Sequence, residues 1–117
     1  MIKTISDSLY KQSKYYPKKG ALVYKSTSIT YAEFYAGCSC IAHKLISSGI
    51  TKYDRCAIYM EKRPEEAQAI YAINMAGGIF IDINHLLKGN QIRHILSDSG
   101  ARILFTTVPR LKQIVDV

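Results

Sequence analysis

A chain of 117 residues has room for one compact unit, and with 48% hydrophobic and 21% charged residues it lies outside the polar, highly charged range of disordered sequences. Sixteen Lys and Arg against nine Asp and Glu give a formal charge of +7, which raises nucleic acid as a partner, although the basic residues are spread along the chain and a solvated surface is the expected use of most of them. There is no basic patch followed by an apolar run at the N-terminus and no stretch near the roughly 18 apolar residues of a membrane span, and Cys38, Cys40 and Cys56 are an odd number of thiols, so the expectation is a cytoplasmic chain with free cysteines and no membrane partner.

Ile5, Leu9 and Tyr16, with Ile2 just ahead, form a loose helical stripe that stops at Pro17. After the turn signal Pro17-Lys18-Lys19-Gly20, the runs Ala21–Tyr24 and Thr27–Thr30 flank Lys25-Ser26, the spacing of a β-hairpin with a two-residue turn. From Tyr31 the apolar residues Phe34, Tyr35, Cys38, Ile41, Ala42, Leu45 and Ile46 recur at steps of three and four, predicting a long amphipathic helix. Thr30 and Glu33 have capping-box spacing at its start, and Gly49 supplies a left-handed stop.

The rest alternates strand and helix. Arg55–Met60 reads as a strand. Pro64 with Glu65 and Glu66 opens a helix, proline where no N–H is needed and acids where the dipole favours them; Ala69, Ile70, Ile73 and Ala76 are its expected buried face, and Gly77-Gly78 its end. Ile79–Ile83 is the next strand. A helix from about Lys88 to Ser99 turns Ile92, Ile95 and Leu96 inward and stops at Gly100, followed by a strand at Arg102–Thr106 and a further helix from Pro109 to Val115. Strands separated by helices imply parallel crossovers. The fold class is α/β, a β-hairpin plus a small three-stranded parallel sheet with flanking helices, and so small a sheet is expected to leave an open edge.

Few residues invite chemistry. Cys38 and Cys40 stand two apart on a helix and cannot converge on one ion; with Cys56 they read as small buried hydrophobes. His43, His85 and His94 lack the spacing of a metal motif, though His85 follows a strand end, where parallel sheets place ligands. Asp82, among isoleucines at that strand end, is either a binding group or a polar residue satisfied at the rim of the sheet. Gly77, Gly78 and Gly89 do not make a phosphate loop, since no Gly-rich turn follows a strand and opens a helix. Lys14-Tyr15-Tyr16-Pro17-Lys18-Lys19 interleaves charge and rings as single-strand binders do, but a turn whose tyrosines pack on the domain is the preferred reading. Glu61-Lys62-Arg63 reads as a solvated loop, and no nucleophile, base and orienting acid assemble from spacing. The site assignment is therefore empty: no catalytic, cofactor-binding or metal residue.

Taken in order, the elements resemble the opening of the adenylate-forming superfamily of AMP-forming acyl-CoA synthetases, aryl-CoA ligases and peptide-synthetase adenylation domains. The resemblance is carried by Ser28-Ile29-Thr30-Tyr31-Ala32-Glu33-Phe34, Leu45 through Gly49, Tyr53-Asp54-Arg55-Cys56-Ala57-Ile58, Met75-Ala76-Gly77-Gly78-Ile79-Phe80-Ile81 and Gln91 through Ser99. Within it, Glu61–Glu65, Asn84 and Leu86-Leu87-Lys88 are similar to the acyl-CoA ligases that accompany exosortase systems. Asp82 and His85 depart from the family, which places prolines there.

The resemblance implies that residues 1–117 are a single, truncated N-terminal subdomain of an AMP-binding enzyme. It also implies that the phosphate loop, the residues holding AMP and Mg²⁺ and the catalytic lysine lie downstream, because no position here matches them. ATP, Mg²⁺ and coenzyme A are implied for the parent enzyme and none for this segment, which is expected to be inactive alone. The expected partner is the remainder of the ligase, or a second copy, at the open sheet edge. A stand-alone module completing a split ligase and a small basic nucleic-acid binder are the alternatives.

Overall fold

The computed structural model describes residues 4–115, in the order α1 (Ile5–Tyr15), β1 (Gly20–Tyr24), β2 (Thr27–Thr30), α2 (Tyr31–Ser47), β3 (Arg55–Tyr59), α3 (Pro64–Met75), β4 (Ile79–Asp82), α4 (Gly89–Ser99), β5 (Ile103–Thr106) and α5 (Val108–Val115). Every expected element is present, with boundaries within a residue or two. Ile2 lies outside the described residues.

β1 and β2 pair antiparallel, and Lys25 takes the positive φ of 57° that the two-residue turn demands. The second sheet is parallel in the order β4-β3-β5, with Cys56 opposite both Phe80 and Ile103. The chain reaches β4 through α3, then crosses back over β3 through α4 to reach β5. Both faces of β3 are covered. Cys56 and Ile58 point into a core shared with Ala42 and Leu45 of α2 and Ala69, Ala72 and Ile73 of α3, whereas Ala57 and Tyr59 point into one shared with Ile92 of α4. That double burial is why β3 reads as a continuous apolar run rather than an alternating one. A third cluster, Leu9, Phe34 and Cys38, fastens α1 and the hairpin to α2.

Local chemistry sets the element ends. Thr30 Oγ1 accepts from the Glu33 N–H at 3.2 Å and Glu33 Oε1 from the Thr30 N–H at 3.0 Å, completing the expected capping box. Thr4 and Asp7 form a second one on α1. Gly78 is required by space, because a Cβ there would lie 3.0 Å from the Asp54 carbonyl oxygen and 3.1 Å from Ile73.

Three expectations are corrected. On α3, Ile70 and Ala76 pack against the core while half-buried, and the fully buried face includes Ala72 and Glu66, which were not expected there. Tyr15 and Tyr16 do not pack on the domain, being 69% and 55% exposed, because α1 ends at Tyr15 and leaves both rings at its end in solvent. Glu61-Lys62-Arg63 is not simply a solvated loop, because Glu61 and Arg63 are half-buried in an ion-pair network.

Candidate functional site

The connections after β3 and β5 leave toward opposite faces of the sheet, α3 on one side and α5 on the other. In open α/β sheets such a divergence at the carboxyl ends of the strands opens a crevice. Here it is a cavity of about 460 Å³, walled by Tyr59 and Glu61 after β3, His85 to Lys88 after β4, and Thr107, Pro109 and Arg110 after β5.

Arg110 is the centre of this cleft. Its Nε donates to Glu61 Oε2 at 3.0 Å, its Nη1 to the His85 carbonyl at 2.6 Å, and its guanidinium carbon lies 5.0 Å from the centroid of the Tyr59 ring. Glu61 Oε1 accepts from Arg63 Nη1 at 3.1 Å, and Arg63 Nε donates to Glu65 Oε2 at 2.9 Å. Tyr59 Oη donates to the Leu87 carbonyl and Thr106 Oγ1 to the Tyr59 carbonyl, both at 2.6 Å. The Glu61 backbone N–H and then Arg110 hold the Glu61 carboxyl below its usual range, and Glu65 first, then Glu61, raise Arg63.

Glu61, Arg63 and Arg110 thus spend their hydrogen bonds largely on one another, and the arrangement clamps the loops after β3, β4 and β5 together. It offers no nucleophile beside a base. Nor do the residues fit Mg²⁺: among the described residues no group of three His, Cys, Asp or Glu side chains could hold a metal ion, and the two guanidiniums nearest the cleft are engaged with carboxylates. The cleft was missed in the sequence because Glu61 and Arg110 stand 49 residues apart and meet only through the strand order.

The residues singled out in the sequence scatter. Cys38 and Cys56 are buried as expected, but Cys40 is exposed, a correction that follows from α2 turning residues two apart to different sides. His43 and His94 are exposed, and only His85 reaches the cleft, through its backbone carbonyl to Arg110. Asp82 lies beside the buried carboxyl of Glu66 at the edge of the sheet, and burial followed by Asp82's charge raises the Glu66 pKa. Where the family places prolines, Asn84 builds the turn. Its Oδ1 accepts the Leu86 N–H at 2.9 Å and its carbonyl the Leu87 N–H at 3.1 Å.

The model of the AMP-binding enzyme family matches residues 9–117. The chain is 27% identical over 109 residues to 4-hydroxybutyrate–CoA ligase 2 of Metallosphaera sedula, covering 93% of this chain and 20% of the ligase. It superposes on an artificially fused adenylation–PCP di-domain, NpsA-ThdA of Klebsiella oxytoca, with a TM-score of 0.86 at 29% identity, over 94% of this chain and 21% of that one. On the O-succinylbenzoate coenzyme A synthetase of Bacillus subtilis, solved with AMP, the TM-score is 0.83 at 26% identity, over 93% and 29%. The chain therefore spans about a fifth of the length of the ligase it matches.

Proposed function

The chain belongs to the AMP-binding enzyme family, and from that premise we propose that it forms the N-terminal layer of a ligase that activates a carboxylic acid with ATP and passes the acyl group to coenzyme A or a carrier thiol. The observation that carries this reading is the agreement of sequence and fold over the same residues: the family match covers 9–117, and the solved relatives superpose over more than nine-tenths of the chain. In the proposal this layer supplies the sheet and the clamped loops, and the adenylation chemistry resides in the rest of the ligase. ATP, Mg²⁺ and coenzyme A belong to that whole enzyme, which would work in the cytoplasm, where its cofactors and free thiols persist. The narrower likeness to exosortase-associated ligases, resting on Glu61 to Glu65, Asn84 and Leu86 to Lys88, belongs to the same proposal.

Acid-dependent ATP–pyrophosphate exchange tests it. The purified chain should show none with any carboxylic acid, and turnover by the chain alone would overturn the assignment. The DNA beyond codon 117 supplies the positive arm: a continuation, in frame or frameshifted, with a Ser/Thr/Gly-rich loop and a downstream lysine is expected. A second reading, a separate module that completes a split ligase, is favoured by the exposed Ile79 and Phe80 on edge strand β4. Co-expression with the complementary polypeptide should then give a stable heterodimer, and two independently migrating species would dismiss it.

A further inference from the structure

Between Asp7 and Glu33 the sequence contains five lysines, Lys11, Lys14, Lys18, Lys19 and Lys25, and no acid. All five are exposed. Five of the seven units of formal net charge thus fall within one continuous stretch, from the outer side of α1 to the tip of the hairpin. The first acid beyond it, Glu33, is turned back onto the Thr30 backbone.

Exposed tyrosine rings lie in the same stretch, with Tyr53 exposed elsewhere. Tyr15 and Tyr16 are more than half exposed, and Val23 is 70% exposed beside Tyr24 at the hairpin tip. Lys19 Nζ lies 5.6 Å from the Tyr16 ring centroid and Lys25 Nζ 5.4 Å from that of Tyr24, so two ammonium groups already cover ring faces. A single-stranded nucleic acid would need those faces for base stacking, and an aliphatic Val23 gains nothing against phosphodiesters. An anionic bilayer uses the whole set: ammonium groups meet lipid phosphates and carboxylates, tyrosine rings sit at headgroup level, and an aliphatic side chain enters the acyl boundary.

We propose that the segment from Tyr10 to Lys25 is a peripheral docking surface for anionic lipid headgroups, with Val23 and Tyr24 as its shallow insertion point. This is surface contact and not a span, since no described helix is long and apolar enough to cross a membrane. The proposal is independent of the ligase reading.

The test is sedimentation of the chain with phosphatidylcholine vesicles containing phosphatidylserine, and with phosphatidylcholine alone. Binding is expected only to the former, and it should weaken as salt rises. Lys18→Gln with Lys19→Gln should lower the partition coefficient by about 25-fold, at about fivefold per lysine near a charged surface. Circular dichroism should confirm that these exposed substitutions leave the fold intact. The chain has no tryptophan, so Tyr24→Trp gives a reporter without background, and its emission should shift to the blue on anionic vesicles. No sedimentation at low salt, equal binding to both vesicles, or binding without the blue shift would overturn the proposal. So would tighter binding to a single-stranded oligothymidylate than to the anionic vesicles, which would reassign the surface to nucleic acid.

Discussion

Glu66 is a carboxyl that the fold has put in the wrong solvent. It is 7% exposed, with Asp82 as neighbour and only Lys62, at 3.7 Å and itself mostly in water, as counter-charge. Burial first and the Asp82 charge second raise its pKa, so ionising it costs more in the folded chain than in the unfolded one. The stability it contributes is fully present below the unfolded value of 4.5 and is lost as pH rises through the higher folded value. Glu66→Gln keeps a donor for Asp82 and removes the charge, and should stabilise the chain by about 1 kcal/mol near neutral pH. Urea unfolding at about pH 4 and about pH 7.5 checks this, because the advantage should disappear at the lower value. Burial likewise pushes the Cys38 thiol up to about 12, and burial followed by the Asp54 charge raises Cys56. A brief alkylation of the native chain should therefore modify Cys40 alone, and all three thiols in denaturant, counted by mass spectrometry; fast labelling of Cys38 would contradict the packing of α2.

At the scale of the element, what was legible in the sequence was what neighbours in sequence decide. The α2 capping box, its apolar steps of three and four and the hairpin spacing each lie within one element, and each was readable. The Thr4–Asp7 box on α1 escaped because an aspartate stood in place of the usual glutamate. The Arg110–Glu61–Arg63 clamp escaped for a different reason, since no local pattern records which strand ends become adjacent. Tyr15 and Tyr16 misled because aromatic residues near a turn usually find a core, and α1 ends too early to give them one. The turn at Asn84 shows how the chain manages without proline. With the Leu87 N–H bonded to the Asn84 carbonyl, His85 occupies the second position of a β-turn, where proline's fixed φ is favoured. His85→Pro should keep the fold and stabilise it by about 0.4–1 kcal/mol through the unfolded state. Asn84→Ala, which removes the Oδ1 acceptor of the Leu86 N–H, should cost about 1 kcal/mol. Thermal melts of the two variants should move in opposite directions, and a destabilised His85→Pro would mean that the turn differs from the one described.

The whole molecule is a slab, 46 × 35 × 21 Å, with a Cα radius of gyration of 15.0 Å against about 13 Å for a compact chain of this length. The excess follows from the sheet, which has three strands and two unpaired edges. β4 is the more open edge, with Ile79 44% and Phe80 39% exposed beside a free row of backbone donors and acceptors and no lysine or proline to blunt them. An edge of that kind pairs with whatever offers a complementary strand, and when the chain is alone that is a second copy. Sedimentation velocity should therefore show concentration-dependent self-association. Because each copy carries a formal +7, repulsion opposes the contact, so added salt should strengthen it rather than weaken it. Ile79→Lys with Phe80→Lys places two charges on the edge and should return the chain to a monomer at every concentration tested, with its helical content retained. Association that survives the double substitution would move the contact away from β4, and a wild-type chain that stays monomeric in high salt would mean that the edge is not adhesive at all.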